Sequence, residues 1–436
     1  MTKIPIVILC LVGYSIVAID FTSILPISLI TFLALIFDFK RYDAISPVSA
    51  VSWMFFFTGL IGYLVSGSKN STLGTSFGYI LPTEHINSTF TLFSSAALGL
   101  LLGAAMISNN SSERSEYPLG IRKINRKPFV WIALLPLMGL LIGFNPIEFL
   151  IRDNHLLEPN LPLLARLSLA LSFIAVPASA IGGRFNGKAF KSLACLFILT
   201  YGVFYFSMSS RALVVIPVSL IILFWPKSGR LKAIILTIVL PVASYTTLVI
   251  PLYLRSLNSN GLLPYISGLM DFRFSVKGAS YAFQNFTVAF DLNGLTAYEM
   301  IRFPKRDFFV QVSPLLGDAS GWYEIANAHR FNFATPTAAL GELINYGLGY
   351  SVTLLFLIGL LLSLMNKRIS TWKLSYRSFG TVILYSGSLY FGVLCLQYNL
   401  RSAVRIIYYL VALVFLIDFL INRKNLSKPF LGVQGY

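Results

Sequence analysis

Two kinds of side chain in this 436-residue chain stand where they could do chemistry: arginines gathered in one polar stretch, and a glutamate and a histidine near its end. The stretch runs from about Leu252 to Thr335 and carries Arg255, Arg273, Lys277, Arg302, Lys305, Arg306 and Arg330. Arg211, in Ser209-Ser210-Arg211, and the pair Arg401 and Arg405 stand at the mouths of apolar segments. Guanidinium groups stay charged and grip phosphate oxygens in a fork, so these residues are expected to hold an anion. Ser209 and Ser210 add hydroxyl donors next to Arg211 and an N-cap for the helix behind it. Arg401 and Arg405, four apart, share a helix face and repel unless a pyrophosphate or an acidic partner lies between them. Glu342 is the one acid near the mouth of the apolar helix that begins at Pro336, with Asn345 and Tyr346 on its face by helical spacing. It could take a proton from a hydroxyl, orient that hydroxyl, or pair with an arginine. His329, beside Arg330, is the competing base. Each residue also has a plainer reading: an arginine at a helix mouth can snorkel to lipid headgroups, and Arg273 can pair with Asp271. His85 and His155 fall in other connections, where a lone histidine most often does nothing.

The elements that position these residues are membrane helices. The chain is 56% hydrophobic and 12% charged, with a mean hydropathy of +0.74, which sets it apart from an average soluble protein. Its net charge of +17 is spread in short clusters between apolar runs, as contact with anionic lipid requires, and points away from a nucleic-acid partner. Cys10, Cys195 and Cys395 lie inside apolar segments without metal or disulfide spacing. Apolar runs predict about twelve spans, near 4–19, 21–37, 45–66, 89–108, 129–144, 162–182, 192–208, 212–225, 233–251, 338–365, 378–398 and 403–421. The first run has no small-residue cleavage site after it and is expected to be a retained helix. Lys and Arg collect in alternate connections, among them Lys40 and Arg41, Arg122 to Lys127, Arg184 to Lys191, Lys367 to Arg377, and Arg423 to Lys428. That side is expected to be cytoplasmic, with both termini on it.

The layout predicts an all-α polytopic membrane protein in three parts: helices 1 to 9 over residues 1–251, a large outer loop over 252–335, and helices 10 to 12 with a cytoplasmic C-terminus over 336–436. The loop is too long to lack structure and should contain short helices that lie as a lid on the outer face, its aromatics in the headgroups. Its cations then sit on the side where positive charge is scarce, which calls for an anion at the membrane surface such as a lipid-linked pyrophosphate. There is no D-x-D run, no phosphate loop of the G-x-x-x-x-G-K type and no H-E-x-x-H, so a nucleotide-activated donor is not expected. No inverted repeat relates the two halves, which counts against a transporter of that design.

The run Ser210-Arg211-Ala-Leu-Val-Val-Ile-Pro-Val-Ser and, more specifically, Gly341-Glu342-Leu-Ile-Asn345-Tyr346-Gly347-Leu-Gly349-Tyr350 resemble motifs of the oligosaccharide repeat-unit polymerases of the Wzy type, the O-antigen polymerases. The layout is similar from about Phe129 to Ile421. The resemblance implies a metal-independent, cofactor-free glycosyltransferase of the GT-C kind in the bacterial inner membrane, its active site facing the periplasm. Such an enzyme moves a growing glycan from undecaprenyl pyrophosphate onto the non-reducing end of a new lipid-linked repeat unit. Further partners implied are membrane lipids, a chain-length regulator and a flippase of the same pathway. Under this reading Arg211, Arg255, Arg273, Arg330, Arg401 and Arg405 serve the pyrophosphates, and Glu342 or His329 serves the acceptor hydroxyl, beside Asn345 and Tyr346. Alternatives are an O-antigen ligase that transfers polymer to lipid A core, and a polysaccharide flippase or exporter.

Overall fold

The structure is a computed structural model that describes residues 3–20, 23–42, 46–67, 81–107, 126–153, 163–208, 215–224, 259–270, 288–300, 302–315, 317–331, 336–372 and 374–426, with isolated positions between them. Among these residues the protein is helical throughout and forms no strand beyond two isolated bridges, Arg152 with Asn260 and Arg330 with Pro336. Leu-, Ile-, Val- and Phe-rich runs of this length favour helix in hydrocarbon, because a helix satisfies every backbone group within its own segment.

In chain order the helices are α1 (Lys3–Ile19), α2 (Ile24–Tyr42), α3 (Pro47–Gly67), α4 (Thr83–Met106), α5 (Arg126–Gly143), α6 (Pro146–Leu150), α7 (Leu163–Phe185), α8 (Lys188–Ser207) and α9 (Val215–Phe224). There follow α10 (Leu262–Met270), α11 (288–298), α12 (Lys305–Gln311), α13 (Gly317–Ser320), α14 (Trp322–Ile325), α15 (Ala339–Tyr346), α16 (Leu348–Ser370), α17 (Leu374–Gln397) and α18 (Leu400–Leu426). Six of these contain segments long and apolar enough to cross a membrane: Pro47–Ser66, Thr83–Met106, Leu167–Arg184, Lys188–Ser207, Leu348–Ser370 and Leu400–Phe419. Large apolar side chains such as Leu64, Trp131, Ile142, Leu196, Phe415 and Phe419 are exposed on the outside, the inverse of a soluble surface. The protein is therefore a membrane-embedded helical protein.

Packing divides the helices into two groups. The first surrounds α4, which α1, α2, α3 and α16 enclose, so that its hydroxyls Thr89, Thr91, Ser94 and Ser95 face protein rather than lipid. Three of them bond internally: Thr89 Oγ1 donates to His85 O at 2.7 Å, Thr91 Oγ1 to Asn87 O at 3.2 Å and Ser95 Oγ to Leu92 O at 2.9 Å. The second group is α5, α7, α8 and α9 around Tyr201, Tyr205 and Phe204. Helix α17 touches α3 and α7, and so joins the two.

One feature of the sequence reading changes in the structure. The span expected over 338–365 is broken at Gly347, whose φ of +124° and ψ of 152° leave the helical region at a conformation that favours glycine. Helix α15 is thus a separate short element. The ninth expected span, 233–251, lies almost wholly outside the described residues.

At the end of the bundle where α3 and α17 finish and α4, α16 and α18 begin, α11 is wedged between the helices. Phe290 packs against the Gly62 side of α3 and stacks on Phe93 of α4 at 5.7 Å. Asp291, buried beside it, accepts from Ser66 Oγ at 3.1 Å. Burial pushes the Asp291 carboxyl up to about 7, against a smaller opposing effect of the Ser66 hydrogen bond. A carboxyl whose pKa rises on folding stabilises the fold at low pH, and that contribution is lost as pH climbs from about 4 to about 7. Asp291→Asn is therefore expected to raise the melting temperature of the detergent-solubilised protein at pH 8 and to change it little at pH 4. Equal effects at the two pH values would show that Asp291 does not titrate in this range.

Candidate functional site

The site is built where α15, α18 and the segment 302–331 meet, and the starts of α15 and α18 are capped by side chains from elsewhere in the chain. Four N–H groups at a helix start lack intrahelical acceptors and need partners when buried. For α15 they come from α11: Thr296 Oγ1 accepts from Ala338 N at 3.1 Å and Asn293 Oδ1 from Gly341 N at 3.0 Å. The close approach leaves no room for a side chain at Gly341, where a Cβ would lie 2.3 Å from Asn293 O. For α18 they come from the site itself: Glu342 Oε2 accepts from Leu400 N at 2.7 Å and Gln311 Oε1 from Arg401 N at 3.1 Å. A carboxylate there also meets the positive end of the α18 dipole.

At the centre is a carboxylate–imidazole–carboxylate chain. His329 Nδ1 lies 2.9 Å from Glu342 Oε1, and its Nε2 lies 3.7 Å from Asp307 Oδ2. His329 and Glu342 are fully buried and Asp307 nearly so. Thr337 Oγ1 donates to the same Glu342 Oε1 and also lies within bonding distance of His329 O, while Thr337 N donates to His329 O at 3.1 Å. Nδ1 of His329 thus lies between Glu342 Oε1 and the amide nitrogen of Gln311, 3.0 Å away, while Nε2 is turned toward Asp307. Gln311 is oriented by Arg401 N, so its amide nitrogen faces Tyr346 OH, 3.0 Å away, and the imidazole edge. Phe303 packs on the His329 ring at 4.1 Å between centroids, and Trp322 closes its other side at 5.9 Å. Asp307 Oδ1 is buried without a hydrogen-bond partner, its nearest cation being Arg306 Nε at 3.6 Å.

Of the residues singled out by sequence, the structure brings Glu342, His329, Asn345, Tyr346 and Arg401 together. Asn345 binds the segment leading into the site, accepting from Phe303 N at 2.8 Å and donating to Thr296 O at 3.2 Å. Arg401 is buried, and its guanidinium is occupied by the segment 302–331: it donates to Val310 O, to Leu315 O at 2.7 Å and to Ser320 Oγ at 2.8 Å, and lies 5.4 Å from the centre of the Trp322 ring. Arg405 reaches the same Leu315 carbonyl at 3.3 Å. The acceptor that the two like charges share is thus a backbone carbonyl, where the spacing had pointed to an anion or an acidic side chain. Arg330 is exposed at the edge of the cluster and pairs through its backbone with Pro336. Arg211, Arg255 and Arg273 lie outside the described residues.

Asp307, Gln311, Thr337 and Trp322 were not singled out by the sequence reading. Asp307 and Gln311 did carry a signal: they are four apart in the helix that follows Pro304, and so share its face. The exposed cations Arg302, Lys305, Arg306 and Arg330 flank residues of this buried group in the chain, and Arg306 Nε lies 3.6 Å from Asp307 Oδ1.

No family model, curated protein or solved structure matches the chain. The fold and the site define the class: an all-α membrane-embedded protein with a buried imidazole–carboxylate cluster at one end of its helices.

Proposed function

We propose that the protein is a membrane glycosyltransferase that polymerises lipid-linked oligosaccharide units, transferring the growing glycan from undecaprenyl pyrophosphate to a hydroxyl of a new lipid-linked repeat unit. The observation that carries this reading is the Glu342–His329–Asp307 chain, with Arg306 against Asp307 and the exposed Arg302, Lys305 and Arg330 next to its residues in the chain. It supplies a candidate base and cations for a pyrophosphate within one cluster. In the proposed step His329 Nε2 takes the proton of the acceptor hydroxyl and the oxygen bonds to the anomeric carbon of the growing chain. The bond from that carbon to the pyrophosphate oxygen breaks, and its electron pair leaves with undecaprenyl pyrophosphate. Arg306 and the neighbouring cations Arg302, Lys305 and Arg330 stabilise the charge that develops on the leaving group.

Glu342 is a positioning residue in this scheme. It holds Nδ1–H and so keeps Nε2 available, the role a carboxylate plays behind a catalytic imidazole. Because His329 is covered by Phe303 and Trp322, the hydroxyl reaches it only when the segment that carries them swings aside, and closure then excludes water.

His329→Ala, introduced at the native locus, is expected to lower polymer output by about a hundredfold or more while single-unit surface glycan accumulates. Glu342→Asp should restore part of the output lost in Glu342→Ala, and Arg306→Ala with Arg330→Ala should lower it with the protein still present in the membrane. Normal-length polymer from His329→Ala would refute the scheme. Long polymer left on the carrier lipid would instead indicate transfer to lipid A core.

A further inference from the structure

We propose that Glu84, His85 and Glu299 form a divalent-cation site of the zinc class that ties the start of α4 to the end of α11. One donor atom from each residue converges so that all three lie within 4.8 Å of one another. His85 Nε2 stands 2.9 Å from Glu299 Oε1 and 3.6 Å from Glu84 Oε1. Around a tetrahedral zinc ion with bonds of about 2.0–2.1 Å, neighbouring donor atoms are about 3.3 Å apart. The two distances from the imidazole bracket that value, and the two carboxylate oxygens lie within 4.8 Å of each other.

The imidazole is already oriented, since it stacks on Tyr298 at 4.9 Å with an interplanar angle of 18° and is partly buried. Charge favours a cation as well. Two carboxylates face one ring, and even a protonated ring leaves the group one negative charge in excess. A dication with a neutral imidazole balances it. One nitrogen and two oxygens suit zinc or manganese, and the imidazole disfavours magnesium and calcium. Three protein donors leave a fourth position for water.

The consequence lies in the fold. Helix α11 caps α15 through Asn293 and Thr296, so a cation on Glu299 stiffens the support beneath Glu342 without joining the His329 cluster. The inference stands independently of the proposed transfer chemistry.

The test uses the full chain, purified in detergent and stripped with EDTA. Zinc titration by calorimetry, with metal analysis after gel filtration, is expected to show one saturable equivalent per chain and a rise in melting temperature. Glu299→Gln and His85→Ala should each weaken binding at least about tenfold and abolish the thermal shift. His155→Ala should leave both unchanged. If His85→Ala does not fold, Glu84→Gln with Glu299→Gln keeps the ring and removes both carboxylates. Absence of saturable binding, equal affinity in wild type and Glu299→Gln, or displacement of zinc by equimolar magnesium would each overturn the proposal.

Discussion

Arg401→Ala is expected to destabilise the protein by about 2–3 kcal/mol, because the deletion removes three hydrogen bonds of a charged group together with a buried side chain. The guanidinium serves Val310 O, Leu315 O and Ser320 Oγ and lies against Trp322, so one side chain holds three points of the segment 302–331 to α18. Removing it should also speed proteolytic cleavage within that segment, which loses three of its bonds to α18. Arg401→Lys should recover only part of the loss, because an ammonium cannot reproduce the planar fork. Arg405→Ala is the control: its bond of 3.3 Å to Leu315 O is long and exposed, and a loss under about 1 kcal/mol is expected. Thermal unfolding and limited proteolysis of the solubilised variants measure both effects. A wild-type melting temperature for Arg401→Ala would show that the latch contributes nothing.

Gly359→Ala should cost about 3 kcal/mol through the crossing of α4 and α16. A Cβ at Gly359 would lie 2.1 Å from Leu100 O and 2.9 Å from Leu100 Cα, both backbone atoms of the central helix. The approach is mutual, since a Cβ at Gly103 would lie 2.0 Å from Phe356 O. Neither contact can be relieved by a rotamer change, so the helices must part by about 1 Å and lose close packing along their seam. In a membrane that packing is the main source of helix association, because lipid tails are as apolar as the side chains. Gly349→Ala on the same helix is the matched control: its Cβ meets nothing within 4 Å, and no loss is expected. Similar melting temperatures for the two variants would remove the close crossing as a determinant of stability.

Much of this fold was legible as local pattern. Apolar runs marked α1 to α5, α7 to α9, α17 and α18 with ends shifted by up to about six residues, because helix in hydrocarbon is the response of each run by itself. The break at Gly347 was less legible. Glycine is tolerated inside membrane helices, and only the need to turn α15 across the end of the bundle and onto α11 and α18 makes φ positive there.

The site was legible as a set of residue types and not as a set of partners. Glu342 and His329 stood out as the acid and base nearest the polar stretch, but their meeting depends on the chain returning past Thr337 to place them 2.9 Å apart. Asp307 and Gln311 shared a helix face by spacing, and nothing local said that the face would close on an imidazole. Arg401 looked like a ligand for an external anion, yet carbonyls more than eighty residues away occupy its donors.

By itself the sequence determined that the chain lives in a membrane, where its helices run and which cations cluster in the polar stretch, since burial of apolar runs and pairing of backbone groups are settled within each segment. Only the tertiary structure decided which polar side chains face one another. Buried donors and acceptors must be matched across the whole molecule, and that matching joins Glu342 to His329 and Arg401 to Leu315.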